Sequence, residues 1–94
     1  MLYTAVVNSI FDGYDNVAKT IVERTNLSLD TQGKVGNTLL MWAAYFGNLN
    51  IVQELIKKGA NVNIVNMEGD NAISLATKKG YREIASLLRT YKDL

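Results

Sequence analysis

The stretch from Gly36 to Asn63, GNTLLMWAAYFGNLNIVQELIKKGANVN, decides the fold. Thr38 suits the N-cap of a short helix over Leu39 to Phe46, because a threonine hydroxyl accepts from the backbone N–H groups that a first turn leaves open. The small pair Ala43 and Ala44 permits close helix packing, and Gly47 ends the helix in a conformation that other residues resist. Asn48 then caps a second helix, expected over Asn48 to Lys58. Its Ile51, Val52, Leu55 and Ile56 form one apolar stripe, and Gly59 supplies the stop. Asn61-Val62-Asn63 and Glu68-Gly69-Asp70 are turn-rich with alternating apolar neighbours, which predicts a short extended hairpin.

The same unit returns at an offset of 33 residues: Gly36 falls on Gly69, Leu40 on Ile73, Ala43 on Ala76, Gly47 on Gly80, Ile51 on Ile84 and Leu55 on Leu88. Thr38 falls on Asn71, another good cap. A period of this length marks a stacked repeat, in which each unit buries its apolar face only against its neighbours. The last unit is expected to act as a capping repeat, since Arg89 replaces an apolar residue and Thr90, Tyr91, Lys92 and Asp93 bring polarity. The first unit is irregular. Val17, Ala18, Ile21 and Val22 repeat the stripe, Asp15 is its candidate cap, and Leu2, Ala5 and Val6 predict a short helix before it. If Ala5 stands for Ala43, the connection from Ser9 to Tyr14, with Phe11, Asp12 and Gly13, is about four residues longer than the turn at Gly47. The expected fold is an all-α repeat solenoid in one domain, residues 1–94. The irregular repeat spans about 1–30, the central repeat about 31–63 and the capping repeat about 64–94.

The quoted stretch resembles the ankyrin-repeat pattern G-x-T-P-L-H-x-A-A-x-x-G-x-x-x-I-V-x-x-L-L-x-x-G-A-x-V-N along its whole length. The resemblance implies a stack of helix-turn-helix units joined by short β-hairpin-like loops. One departure stands out: the family's T-P-L-H appears as Thr38-Leu39-Leu40-Met41, and later as Asn71-Ala72-Ile73-Ser74. Without the histidine, the family's side-chain hydrogen bond at the helix start cannot form, and local loosening is expected.

Composition removes most other function classes. At 94 residues, with 48% hydrophobic and 20% charged side chains, the chain holds one domain, and a net charge of +1 argues against a nucleic-acid partner. With no Cys and no His, disulfides, thiolate metal sites and the commonest nucleophile and base arrangements are excluded. Glu68 and Asp70 come nearest to a carboxylate pair but lack any means of splitting their pKa values, and the glycines mark repeat boundaries, not a phosphate loop. Met1-Leu2-Tyr3-Thr4 opens without a basic leader, and no apolar run approaches the ~20 residues of a membrane span. The expectation is a soluble, cytoplasmic, non-enzymatic protein without metal or cofactor.

The family resemblance further implies that a protein partner meets the hairpin tips and the exposed side of each repeat's first helix, on a concave face. Carried onto this chain, the tips are Lys34, Val35 and Asn37, then Met67, Glu68 and Asp70, and the helix positions are Tyr45 and Phe46, then Lys78 and Lys79. Two adjacent aromatics suit a hot spot, and packing on the neighbouring hairpin is the alternative. Trp42 matches Leu75 and suggests a packing role beside partner contact. Lys78, Lys79 and Arg82 form a basic cluster suited to acidic groups, or to a helix C-terminus where cations offset the dipole. The leading function is a protein-protein interaction module, monomeric, with a partner the sequence does not name. The alternatives are a dedicated inhibitor or immunity-type protein for one enzyme or toxin, and a self-associating fragment with a homodimer contact through Phe11 and Tyr14.

Overall fold

In the computed structural model, which describes residues 2–92, six helices run in the order α1 (Leu2–Asp12), α2 (Asp15–Arg24), α3 (Leu39–Tyr45), α4 (Leu49–Lys57), α5 (Ala72–Lys79) and α6 (Arg82–Arg89). Short connections fold α1 onto α2, α3 onto α4 and α5 onto α6. The three pairs stack with α1, α3 and α5 in one layer and α2 against α4 in the other. This is an all-α repeat stack, and no strand is present among the described residues.

The caps follow the sequence closely in the second and third pairs. Thr38 is extended and its hydroxyl accepts from the Met41 N–H at 3.3 Å, while Asn48 accepts from the Ile51 N–H at 3.1 Å. Gly47 closes α3 at φ 71°, and the Asn48 N–H then reaches back to the Ala43 carbonyl at 2.9 Å. A second constraint also fixes this glycine, because a Cβ here would lie 2.6 Å from the ring of Tyr81. The expected weakness at the start of α5 is not found. Asn71 accepts from the Ser74 N–H at 2.9 Å, and the Ser74 hydroxyl accepts in return from the Asn71 N–H at 3.0 Å, a reciprocal cap. Met41, where the family has histidine, lies in the core at 1% exposure.

The first pair corrects the sequence reading in three places. Helix α1 continues through Asp12, so most of the supposed long connection is helical. The Tyr14 N–H donates to the Ser9 carbonyl at 2.8 Å, the same bond that joins Asn48 to Ala43 and Tyr81 to Ala76. Ser9, not Ala5, therefore takes the place of Ala43. The two lie four residues apart on one helix face, so periodicity alone does not separate them. Asp15 does not cap α2: the N-cap is Tyr14, without a side-chain bond, and Asp15 is the first helical residue. Its carboxylate instead accepts from the Asn48 side-chain amide at 2.7 Å, tying the first pair to the second. Val17 is half exposed, while Ala18 and Val22 are buried.

The core runs through all three pairs, with Val6, Leu39, Leu40, Val52, Leu55, Ala76 and Leu88 essentially inaccessible. The buried alanines Ala18, Ala43, Ala44, Ala76 and Ala85 allow the layers to approach. At the far end Arg89, Thr90, Tyr91 and Lys92 are exposed, and Asp93 lies outside the described residues.

Candidate functional site

Two loops between the helix pairs project as turns. In the first, the Gly33 N–H donates to the Asn37 carbonyl at 3.0 Å and the Gly36 N–H to the Gly33 carbonyl at 2.9 Å. In the second, Asn66 bonds to the Asp70 carbonyl at 2.8 Å and Gly69 to that of Asn66 at 3.0 Å. These closed turns are the short hairpin-like loops expected from the sequence, without a strand among the described residues. They are joined to one another: the Met67 N–H donates to the Val35 carbonyl at 3.1 Å, the Gln32 amide donates to the carbonyls of Gly36 and Val65 at 2.8 Å each, and the Asn66 amide donates to the Asn37 side-chain oxygen at 2.8 Å. Gly36, at φ 86°, permits this approach, because a Cβ there would lie 2.9 Å from the Met67 nitrogen. The tips thus form one plate.

That plate and the inner helices enclose a groove of about 320 Å³, lined by Val35, Asn37, Trp42, Tyr45, Asn66, Met67, Glu68 and Leu75. Three of its apolar side chains are open to solvent, Met67 at 78% exposure, Val35 at 53% and Tyr45 at 37%, while Leu75 is buried beneath them. The floor is held from beneath, since the Trp42 indole N–H donates to the Tyr3 hydroxyl at 3.0 Å, which donates to the Asn37 carbonyl at 2.6 Å. Trp42 therefore packs and lines the groove at once.

Several of the named residues lie elsewhere. Phe46 turns away from the groove, its ring stacked on Trp42 at 5.7 Å and edge-on to Phe11 at 5.3 Å, beside a second cavity lined in part by Ile10, Phe11, Asp15 and Leu49. Asn37 and Asp70 are not exposed tips, for both are buried at 7% exposure and serve the turns. The Asp70 carboxylate accepts from Lys78 at 2.8 Å and from the Ser74 hydroxyl at 2.9 Å. The Lys78 hydrogen bond, then that of Ser74, holds its pKa below the ordinary carboxylate range, against the opposing effect of burial. Lys78 is thereby committed to Asp70, whereas Lys79 places its ammonium 4.7 Å from the centre of the Tyr45 ring. Lys34 is exposed at the first tip.

The sequence reading missed Leu75 and Asn66 as groove residues and Phe11 as part of the same aromatic run. Phe11 precedes Tyr14 by the interval that separates Tyr45 from Asn48 and Lys78 from Tyr81. The signal was present, hidden by the one-turn misplacement of Ala5.

A stack of helical pairs with joined turns along one edge defines a repeat solenoid. The chain belongs to the ankyrin-repeat family, whose pattern, described as ankyrin repeats in three copies, matches residues 2–94. It is similar to calmodulin-binding transcription activator 5 of Arabidopsis thaliana, 41% identical over 67% of this chain and 8% of that protein. It is also similar to the human NAD-capped RNA hydrolase NUDT12, at 42% over 68% of this chain and 14% of the relative. The DNA replication inhibitor plutonium of Drosophila melanogaster is 36% identical over 70% of this chain and 40% of its own length. The chain thus spans less than half of each of these relatives. Ankyrin repeats generally serve as protein-interaction modules, and no described helix is long and apolar enough to cross a membrane.

Proposed function

We propose that residues 1–94 act as one non-catalytic interaction domain that docks a protein partner in the groove between the turn plate and the inner helices. The observation that carries this reading is the convergence of exposed Met67, Val35 and Tyr45 on a hydrogen-bonded frame. Solvent-facing apolar side chains grouped on a fixed support favour a partner that buries them. Tyr45 and Met67 are the anchors, Trp42 and Leu75 the floor, and Lys34 and Glu68 the polar rim. A photo-crosslinking amino acid at position 67 should trap a partner in cells, and the same group at position 20, on the exposed outer side of α2, should not. Equal trapping from both positions, or trapping from position 20 alone, refutes the site.

A second reading, a dedicated inhibitor of one enzyme, is favoured by the likeness to a Drosophila protein whose name describes an inhibitor. A partner that loses activity when the purified chain binds supports it. Unchanged activity of the bound partner excludes it.

A further inference from the structure

One contact recurs, with changing chemistry, along the edge formed by the C-terminal ends of α1, α3 and α5. Phe11 of the first pair meets Phe46 of the second, ring to ring at 5.3 Å, and Tyr45 of the second meets Lys79 of the third, ammonium to ring at 4.7 Å. Counted from the N-caps Tyr14, Asn48 and Tyr81, Phe11, Tyr45 and Lys78 are equivalent, and so are Asp12, Phe46 and Lys79. Along the stack this edge therefore passes from exposed Phe11 and Asp12, through the central aromatics, to the cations of the third repeat. The only ion pair among the described residues is Lys78 with Asp70. Lys79 and Arg82 are exposed and have no carboxylate partner among the described residues, although Glu83 follows Arg82 on α6.

Building on the interaction reading above, we propose that this edge, with the groove beside it, takes a protein segment in one orientation, with apolar side chains over the first two repeats and a carboxylate at Lys79. Complementary charge at one end attracts that carboxylate, and Asp12 at the other end repels it. The aromatic rings between them offer area but no sign, and Lys34 and Glu68 on the turn plate carry one charge of each sign, so the direction rests on Asp12 and Lys79. Lys79 is poised for this contact because the Tyr45 ring holds its ammonium beside the groove.

A random library of about twelve-residue peptides panned against the chain tests the assignment. Enriched peptides should carry Asp or Glu toward one end and apolar residues toward the other. Lys79→Glu should weaken a selected peptide about fivefold, with the loss shrinking at high salt. Moving the acid to the opposite end of that peptide should weaken it similarly on the native chain and restore it on an Asp12→Lys, Lys79→Glu double variant. Both positions are exposed, and circular dichroism checks that the variants keep the fold. Peptides lost on Tyr45→Ser and Met67→Ser but lacking an acid bias, or indifferent to Lys79→Glu, overturn the orientation and leave the site standing. Peptides indifferent to Tyr45→Ser and Met67→Ser overturn the site itself, and a library that yields no binder overturns both.

Discussion

Replacing Glu54 by leucine should make the fold more stable. Glu54 lies on α4 at 9% exposure, and its Oε2 oxygen is buried without a hydrogen-bond partner. The other repeats show what this position tolerates: counted from Asn48, Tyr14 and Tyr81, its equivalents are Thr20, exposed on α2, and Leu87, packed against the core on α6. A buried polar atom left unpaired costs about 1–3 kcal/mol, a cost that an apolar side chain of similar volume removes. A gain of about 1–2 kcal/mol follows for Glu54→Leu. In a domain of this size, each 1 kcal/mol moves the melting midpoint by about 4–8 °C. Thermal and urea unfolding at neutral pH measure both, with Glu54→Gln as the control that keeps the shape and a polar group. An unchanged or lowered midpoint for Glu54→Leu refutes the reasoning and shows that the carboxylate stabilises the outer layer.

Three further substitutions examine other parts of the frame. Gly47→Ala should cost about 2–4 kcal/mol in urea unfolding, because a left-handed backbone is combined with a clash against Tyr81, whereas Gly59→Ala, at φ 92° with open space around it, should cost about 1–2 kcal/mol; equal costs would remove the clash from the account. Ser74→Ala should cost about 1 kcal/mol and raise amide exchange in the first turn of α5, since it removes half of the reciprocal cap. Asp70→Asn should lower stability by about 1 kcal/mol at pH 7. Because the native pKa of Asp70 is depressed, its contribution is complete above the unfolded value near 4 and disappears as pH falls through the native value. The two proteins should therefore converge in acid, and a gap that persists there would show that the loss is not electrostatic.

The second and third repeats were legible because their punctuation is local. Thr38, Asn48 and Asn71 cap where a short polar side chain precedes an apolar stripe, and Gly47, Gly59 and Gly80 take the left-handed conformation that ends or follows each helix. The first repeat was misread because Ala5 and Ser9 share a helix face. The turn that distinguishes them ends at Gly13 and Tyr14, with no capping side chain to mark the next start. The reinforcement by Ser74 escaped notice because a family histidine was expected there, although serine three residues after an asparagine cap can return the same bond. Groove membership was only partly legible. Asn37 and Asp70 look like exposed tips in the sequence, and only the folded turns show their polar groups directed inward.

The burial of those polar groups is what makes the exposed ones useful. A loop that displays Met67 and Val35 on a freely moving chain would pay for ordering both tips when a partner binds. Here the cost has already been met in folding: Asn66 accepts from two backbone N–H groups of its own turn and donates across to Asn37, while Gln32 bridges both turns. Asn66→Ala should therefore leave the apolar side chains of the groove, Val35, Trp42, Tyr45, Met67 and Leu75, chemically intact and still weaken partner binding, because Met67 must then be ordered on association. The weakening should appear as a less favourable binding entropy in calorimetry, with Asn66→Asp as a variant that retains the acceptor but loses the bond to Asn37. Unchanged affinity in Asn66→Ala would mean that the plate is not what presents the surface, and the groove would then have to draw its order from Trp42 and the inner helices alone.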